Sequence, residues 1–256
     1  MRLKDRVAIV TGSSKGIGRA IAEAFAREGA QLVVNGRDTQ DLAAIQAELS
    51  QAGTKALAKR ADVRIAAEVK SMITEALELF GKIDILVNNA GGSLYTPTAI
   101  EEITEEHWDL VVDANLKGTF LCSTAVLEHM KSRKYGRIVN ISSQAGRSTS
   151  EFSGPHYAAA KAGILGFTRQ LARQVGVHGI TVNAVAPGFF MSTERVRNKW
   201  EGLPEARKKE ILSAIPLEHR WGRMDELVGT VIFLASDDAS YITGATIDVN
   251  GGRYML

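Results

Sequence analysis

Tyr157 and Lys161 are the residues whose types and spacing most directly suggest chemistry. They stand four positions apart at the start of a helical pattern, so a helix would carry both side chains on one face. A cation beside a phenol favours the ionised form, and Lys161 is therefore expected to lower the pKa of Tyr157 below its usual value of about 10. Such a tyrosine could exchange a proton with a substrate near neutral pH. The alternative is an ordinary amphipathic helix with a half-buried tyrosine and a solvated lysine, and these two residues alone favour it.

The composition indicates a globular chain rather than a nucleic-acid-binding or disulfide-rich protein. The 256 residues are 45% hydrophobic and 23% charged, with a formal net charge of +2 and no isolated basic cluster. The single cysteine, Cys122, cannot form an internal disulfide and is expected to be a small core residue. The first apolar run, Val7–Val10, is too short for a secretion signal, and we expect no membrane span. The predicted location is therefore cytoplasmic.

Short β-branched runs alternate with longer helical patterns along the whole chain. The predicted strands are Val7–Thr11, Gln31–Asn35, Lys55–Arg60, Ile83–Asn88, Gly136–Ser142, Ile180–Val185 and Thr246–Val249. The predicted helices are Gly16–Glu28, Thr39–Ala52, Ala66–Phe80, Thr104–Lys131, Pro155–Val177 and Asp225–Ala235. Most strand runs are apolar throughout, as expected for strands covered on both faces. The alternation predicts one α/β domain over residues 1–256, a doubly wound parallel sheet with helices on both faces.

One connection, Gly188–Pro216, is much longer than the others and is irregular in pattern. Long insertions within compact domains are usually lids or binding loops, so we expect a substrate lid at about residues 188–216. Four of its apolar side chains could line a pocket or simply pack on the body: Phe189, Phe190, Met191 and Trp200. Three cations could meet an anionic group: Arg195, Arg197 and Lys199. Glu194 and Glu201 lie among these cations, which favours a solvated charged helix.

The first strand leads into a glycine-rich turn, Thr11–Gly18, within which a helix begins. Glycines permit a tight turn and let backbone N–H groups approach a pyrophosphate at the helix N-terminus. Their spacing differs from the commoner G-x-G-x-x-G, so a plain turn is an even alternative, but the position after the first strand favours a dinucleotide site. The turn residues expected to contact the nucleotide are Gly12, Ser14, Lys15, Gly16, Ile17 and Gly18.

The end of the second strand indicates which nucleotide binds. An NAD site places an acidic residue there to bind the ribose 2′-hydroxyl, whereas this chain has Asn35 and Gly36, followed by Arg37. Arg37 and Lys15 are cations suited to a 2′-phosphate, and the missing carboxylate removes the repulsion against it. Asp38 is the exception, because a shifted register would bring its carboxylate to the ribose. The sequence therefore predicts NADP(H) in preference to NAD(H).

With Asn88–Gly91 after the fourth strand, the sequence resembles the short-chain dehydrogenase/reductase family. The matching pieces occur in the family's order over nearly the full length of the chain. They are Thr11–Gly18, Asp62 and Val63, Asn88–Gly91, Asn115, Ser143, Tyr157 to Lys161, Asn183, Pro187 and Gly188, Tyr241 to Gly244, and Val249 to Gly252. The resemblance implies a single Rossmann-type domain with a seven-stranded parallel sheet, a nicotinamide cofactor and a homotetramer. No metal ion is expected at the site.

The resemblance also implies roles for individual residues. It assigns Asn115, Ser143, Tyr157 and Lys161 to a catalytic tetrad, with Ser143 chosen over Ser142 because an x-x-Gly follows it. The remaining cofactor contacts that it implies are Asp62 and Val63 at the adenine, Asn89, Ala90 and Gly91 at the ribose and nicotinamide, and Pro187 and Gly188 after the sixth strand. Tyr157 and Lys161 are expected to contact the cofactor as well.

The implied reaction is hydride transfer between the nicotinamide and a carbonyl carbon. Tyr157 is expected to give a proton to the substrate oxygen, while Ser143 adds a hydrogen bond that strengthens as charge develops there. Lys161 is expected to lower the pKa of Tyr157 and to bond the nicotinamide ribose. Asn115 is expected to hold a water that links Lys161 to a proton relay. The cofactor carries the hydride, and the protein supplies position and field.

The substrate is the least determined feature. The chain resembles most the reductases of 3-oxoacyl thioesters on acyl carrier protein, which makes such a thioester, carried by that partner, the first expectation. Those reductases commonly dock the acidic carrier with two arginines, and the matching positions here hold Lys134 and His178. Sugar acids, polyols and small ketones are the alternative substrates. A catalytically silent dinucleotide sensor is a remote alternative, because all four tetrad residues are present.

Overall fold

The computed structural model describes residues 1–255, and Leu256, the last residue of the predicted domain, lies outside them. The strands are β1 Val7–Val10, β2 Gln31–Gly36, β3 Ala56–Arg60, β4 Ile85–Asn88, β5 Gly136–Ile141, β6 Ile180–Pro187 and β7 Thr246–Val249. The helices are α1 Gly16–Arg27, α2 Thr39–Gln51, α3 Ala66–Phe80, α4 Glu105–Val112, α5 Gly118–Arg133, α6 Pro155–Val175, α7 Glu194–Glu201, α8 Glu205–Ser213 and α9 Met224–Ala235.

The strands form one parallel seven-stranded sheet in the order β3-β2-β1-β4-β5-β6-β7, which confirms the predicted fold class. Chain order reverses at β1, whose two neighbours are β2 and β4. In open sheets of this kind, a crevice forms at the carboxyl ends of the strands where the order reverses. The topology therefore places any ligand site above β1 and β4.

The core lies in two layers, one on each face of the sheet. Val10 and Val34 point to the face covered by α1, α2 and α9, and Ile9 and Val33 point to the face covered by α3, α5 and α6. All four side chains are fully buried. Strands buried on both faces need apolar residues at every position, which is why their sequences do not alternate.

The single helix predicted over Thr104–Lys131 is wrong, because the structure divides it. α4 ends at Val112, a π-helical turn spans Asp113–Lys117, and α5 follows. The Asn115 side chain explains the break, since its amide donates to the Val111 carbonyl at 2.7 Å and competes there with the regular backbone bond. Single π turns of this type are frequent at functional sites.

This divided stretch also bears on the membrane prediction. Glu105–Arg133 is 29 residues long and contains an 18-residue window with a mean hydropathy of 1.3, which is enough by length and composition to cross a membrane. The sequence-based expectation of no such stretch is therefore corrected. In the fold its apolar side chains include Val111 and Val126, both fully buried in the domain. A core helix passes the same test of length and composition for that reason.

Candidate active site

A cleft of about 1210 Å³ opens at the carboxyl ends of the central strands, under the segment after β6. It brings together most of the residues predicted for the site. The predicted residues that line it are Gly12, Ser14, Lys15, Gly16, Ile17, Gly18, Arg37, Asn89, Ala90, Gly91, Ser143, Tyr157, Lys161, Pro187 and Gly188. Three predicted residues, Asp62, Val63 and Asn115, are not among its lining. Chain segments distant in sequence thus converge where the strand order reverses.

The glycine-rich turn forms a bare backbone cradle at the start of α1. A Cβ at Gly18 would clash with the carbonyl oxygen of Gly12, so the helix can approach the turn only with glycine there. The Asn89 side chain holds the same turn by donating to the carbonyls of Thr11 and Gly12 at 2.9 and 3.0 Å. The backbone of this turn therefore has room for a dinucleotide pyrophosphate. The Asn89 hydrogen bonds hold the turn rigidly against the end of β4.

The end of β2 has no carboxylate free to bind a ribose 2′-hydroxyl. The buried Asn35 side chain accepts from the Gly12 N–H and donates to the Ala61 carbonyl, so it joins β1, β2 and β3. Asp38, the residue that a shifted register would have used, caps α2 by accepting from two backbone N–H groups at 2.9 and 3.0 Å. These contacts lower the pKa of Asp38 and keep its carboxylate at the helix.

Two cations stand where a 2′-phosphate is expected. Arg37 is exposed at the rim of the cleft and makes no ion pair with any residue of 1–255. Lys15 lies in the turn and pairs with Asp41 at 2.8 Å, a contact that raises its pKa. The pair with Asp41 is exposed, and surface pairs of this kind contribute at most about 1 kcal/mol, so a phosphate can compete for Lys15.

Asp62 and Val63 lie beside the cleft without lining it. The Asp62 carboxylate is held by the Arg64 guanidinium, whose Nη2 is 2.6 Å away, and this bond lowers the Asp62 pKa. Val63 is buried against Gly118 at the start of α5. An adenine contact by these two residues stays a prediction.

Ser143, Tyr157 and Lys161 meet at the floor of the cleft. The Lys161 ammonium is 5.6 Å from the centroid of the Tyr157 ring and donates to the Ile141 carbonyl at 2.8 Å. The Ser142 hydroxyl donates to the Lys161 carbonyl, so Ser142 has a structural bond of its own. Ser143 is the serine whose hydroxyl faces Tyr157, close enough to lower the pKa of the phenol. The choice of Ser143 over Ser142 agrees with this arrangement.

Burial, rather than a neighbouring charge, dominates the proton affinities of this group. It raises the pKa of Tyr157, and the smaller opposing effects come from Ser143 and from the charge of Arg195. The expectation that Lys161 lowers the Tyr157 pKa is therefore wrong for this structure. Burial lowers the pKa of Lys161 itself to about 7, because an apolar environment disfavours the charged amine.

Asn115 is fully buried behind the cleft, where it holds the loop after β4. Its side-chain oxygen accepts from the Gly92 N–H and its amide donates to the Gly92 carbonyl, each at 2.9 Å. A Cβ on Gly91, whose φ is +140°, would collide with the Asn115 side chain. Asn115 therefore positions the loop on which a nicotinamide would lie, and its role in a water relay stays a prediction.

The stretch after β6 is not irregular, as its sequence pattern suggested, but contains α7 and α8. Phe189 and Trp200 of this stretch join Phe152 and Trp221 of neighbouring loops in a connected aromatic wall. Phe189 contacts Phe152 and Trp221 edge-on at centroid distances of 5.1 and 5.3 Å, and Trp221 contacts Trp200 at 4.8 Å. Phe190, by contrast, is 5% exposed and packs in the core.

The sequence places Phe152 within Gln144–His156, a segment expected to contribute to the substrate pocket, but it did not single out Phe152 or Trp221 as members of this wall. Both lie in loops, where the sequence has no helical or strand periodicity. Without such periodicity, the sequence does not indicate which neighbours an aromatic side chain contacts. The sequence analysis also treated α7 as a solvated charged helix, which is wrong for two of its cations. Arg195 and Lys199 are partly buried and line the cleft, whereas Arg197 is exposed.

This geometry is that of a dinucleotide-dependent oxidoreductase, and comparison with known proteins agrees with it. A family model described as short chain dehydrogenase matches residues 6–203. The chain belongs to the short-chain dehydrogenase/reductase family, and it is an enzyme acting on CH–OH or keto groups. The family's members use a nicotinamide dinucleotide, which the cradle described above fits.

Two relatives and one solved structure illustrate the range of activities on this scaffold. The chain is 43% identical to 3-oxoacyl-[acyl-carrier-protein] reductase of Staphylococcus aureus, covering 97% of this chain and 98% of that one. It is 41% identical to a subunit of (2S)-[(R)-hydroxy(phenyl)methyl]succinyl-CoA dehydrogenase of Thauera aromatica, covering 100% and 99%. The structure of levodione reductase superposes with a TM-score of 0.90 at 35% identity and covers 98% of each chain.

Proposed function

We propose that this enzyme interconverts a ketone and a secondary alcohol with NADP(H), and that its substrate is a 3-oxoacyl thioester. The observation that carries the reaction is the meeting of Tyr157 and Ser143 in a cleft that continues into the glycine cradle. Both hydroxyl groups face the same space, so a carbonyl oxygen can lie between them. We further propose a homotetramer located in the cytoplasm.

The residues of the site suggest how the proton is handled. Nicotinamide, when bound, supplies or accepts the hydride. A phenol whose pKa is raised by burial stays protonated at neutral pH, as a proton donor to a developing alkoxide must. Ser143 stabilises the same oxygen with a hydrogen bond. Lys161 titrates near neutrality and lies behind the Tyr157 ring, so it can return a proton toward the phenol after each turnover.

The preference for NADP(H) rests on the end of β2. Asn35 and Asp38 are engaged elsewhere, and Arg37 is the exposed cation at the rim of the cleft. A phosphate gains charge-assisted hydrogen bonds from such a guanidinium, whereas a plain ribose hydroxyl finds no carboxylate to accept its proton.

The preference for a thioester rests on similarity to relatives. One relative is named for a 3-oxoacyl thioester on acyl carrier protein, and another for a CoA thioester that bears a secondary hydroxyl. Whether an acyl carrier protein docks is a separate matter, because Lys134 and His178 stand at the expected docking positions. Sugar acids, polyols and small ketones are the competing substrates.

A substrate panel tests this proposal. Initial rates of NADPH oxidation should be highest with acetoacetyl thioesters, and well below that with sugar acids or simple ketones. A Tyr157→Phe variant should lose about 10²- to 10⁴-fold in kcat, because it loses the proton donor. The matched control is Tyr241→Phe, at a fully exposed tyrosine, and it should retain activity. A reversed ranking of substrates refutes the thioester, and NADPH binding without any turnover favours the silent sensor.

A further inference from the structure

Helix α7 directs two cations toward the catalytic cleft. Arg195 and Lys199 are four residues apart, both partly buried and both in the lining of the cleft, whereas Arg197 is exposed and outside the lining. The exposed Glu194 also reaches the cleft, but it makes no ion pair with either cation. A solvated helix would carry these long side chains outward. The inward orientation of both cations is the feature that requires an explanation.

Arg195 is held in place from two sides by the loop after β4. Its guanidinium donates to the Ser93 hydroxyl at 2.8 Å and lies over the Tyr95 ring, 4.3 Å from the centroid. Leu94 and Tyr95 both have positive φ values, 48° and 63°, which are uncommon for residues with side chains. Backbone strain of this kind persists where the surroundings enforce it and is common at ligand-binding sites. Arg195 is thus positioned before any substrate arrives.

Lys199, one turn further along α7, is held by the loop before α6. Its ammonium donates to the Phe152 carbonyl at 3.1 Å, and it lines both the main cleft and an adjoining cavity of about 190 Å³. Burial lowers the pKa of Lys199, and the nearby charge of Arg195 lowers it further. Two like charges therefore face one partly enclosed space.

Neither cation has an acidic partner among residues 1–255. The ion pairs of this region involve Arg207, Lys208 and Arg253, which take Glu151, Glu205 and Glu210. Buried cations are normally paired, because removing a charge from water is costly. Both Arg195 and Lys199 bond only to neutral oxygens, which leaves donor capacity directed at the cleft. Trp221 adds an indole N–H that is buried without an acceptor in the described part of the chain.

Both unpaired cations line the cleft that holds Tyr157. The charge of Arg195 acts on Tyr157, and Phe152 and Phe189 form an apolar wall in the same cleft. A ligand complementary to this part of the cleft carries an anionic group near its carbonyl. It also carries an apolar group next to the carbonyl and the anionic group. A carboxylate matches the planar fork of a guanidinium and accepts from an ammonium as well.

We propose that Arg195 and Lys199 bind a free carboxylate carried by the substrate itself, so that the substrate is a 3-oxoacyl thioester, or another oxo or hydroxy compound, that bears both an apolar group and a free carboxylate. This inference rests on the proposed carbonyl reduction and narrows its substrate class. It is compatible with a thioester that bears a second, free carboxylate. A simple 3-oxoacyl chain would leave both cations unpaired.

The test uses 4-oxo-4-phenylbutanoate and its amide as probes, with binding to the enzyme–NADP⁺ complex measured by calorimetry. The acid should bind about tenfold to a hundredfold more tightly than the amide, the range expected for hydrogen bonds to a charged group. In an Arg195→Gln/Lys199→Gln variant, the acid should bind as weakly as the amide. Affinities for the amide and for NADP⁺ should be unchanged. The matched control, Arg197→Gln on the exposed side of α7, should keep the full preference.

Three results would overturn the inference. Equal binding of acid and amide by the wild type would mean that no carboxylate is recognised. Parallel loss of both probes in the double variant would mean that the cations only hold the lid. Loss of NADP⁺ affinity would assign them to a phosphate of the cofactor. A Tyr157→Phe variant separates this inference from the proposed function, because the preference for the acid should persist there even though reduction is lost.

Discussion

Burial sets the proton chemistry of individual residues in this cleft. Lys161 is 4% exposed and bonds to one backbone carbonyl, so its ammonium is poorly solvated and its pKa falls to about 7. Burial raises the pKa of the adjacent Tyr157 phenol for the same reason. Both shifts favour the neutral forms, so the proton stays on the phenol at rest, and only the transfer from a charged Lys161 to a phenolate at Tyr157 is favourable.

The shift at Lys161 predicts a pH-dependent effect on stability. At pH 6 the amine is charged in both the folded and the unfolded chain, so the cost of burying the charge is fully present. Between about pH 7 and 10.5 the unfolded chain binds a proton that the folded chain has lost, so wild-type stability rises with pH. A Lys161→Met variant buries no charge, so its stability does not rise with pH in this way. Its free energy of unfolding, measured relative to that of the wild type, should therefore fall by up to about 3 kcal/mol between pH 6 and pH 9.

Urea unfolding at the two pH values, at one protein concentration, measures this difference. Lys209→Met, at an exposed lysine on α8, is the control and should show no such dependence. A stability difference that stays constant with pH, or changes in the opposite direction, would contradict the shifted pKa of Lys161.

The single side chain of Arg37 is expected to determine the preference between NADPH and NADH. An Arg37→Asp variant should lose about tenfold to a hundredfold in kcat/KM with NADPH, because a charged hydrogen bond to the 2′-phosphate is replaced by repulsion. It should gain with NADH, since the new carboxylate can bind the ribose hydroxyl. Steady-state rates with both cofactors provide the measurement. Arg173→Asp, at an exposed site on α6, makes the same charge change and should leave the preference intact. A wild type that prefers NADH would refute the NADP(H) proposal.

At the scale of elements, the π turn between α4 and α5 links helix geometry to the site. Asn115 gives up regular helical bonding and instead bonds the Val111 and Gly92 carbonyls and the Gly92 N–H. The loop that carries Gly91 and Gly92 is therefore attached to a helix rather than left free. Attachment of this kind holds a binding surface at small cost, because the helix is itself packed on the sheet.

An Asn115→Ala variant should separate positioning from stability. It leaves buried backbone groups without partners, which costs about 1–3 kcal/mol each, and it frees the loop beside the expected nicotinamide position. Ser123→Ala is the matched control, since it removes one buried hydrogen bond, to Asn88, from the same long helical region. Both variants should unfold more easily, but only Asn115→Ala should lower kcat more than tenfold in the folded enzyme. Equal activity losses in the two variants would mean that Asn115 contributes only to stability and does not position the loop for catalysis.

At the scale of the whole molecule, an apolar surface remains on the outer side of the α4–α5 and α6 layer. Phe120 is 48% exposed and packs edge-on against Phe167 of α6, and Trp108 of α4 is 41% exposed. Large aromatic side chains exposed on adjacent helices are typical of subunit contacts. We propose that the homotetramer assembles in part through this surface.

The assembly prediction is that light scattering finds a tetramer for the wild type. Phe120→Glu should shift it to smaller species, because it puts a charge into the apolar contact. Leu79→Glu, at an exposed leucine on α3, is the control and should leave the tetramer unchanged. A wild type that elutes as a clean monomer would refute the assembly.

The parts of this protein that depend on local chemistry could be predicted from the sequence. Apolar strand runs, the glycine turn and the Tyr157–Lys161 spacing each report a short-range requirement: burial on both faces, a close backbone approach, or one helix face. Their order along the chain predicted the parallel sheet, and the resemblance to the family implied the reaction. The residue assignments of the cofactor site agree with the cleft wherever they lie on these segments, and they stay predictions.

Other properties were decided by contacts between segments distant in sequence. Asp38 looked available to a ribose, yet it caps a helix, and the nearby Asn35 joins three strands. Lys161 looked like an activating charge, yet its burial by β5 shifts its own pKa instead. Helical periodicity shows which residues share a face of α7 but not which way that face points. The tertiary structure turned Arg195 and Lys199 inward, because only the packed neighbours of a side chain determine its solvation and its partners.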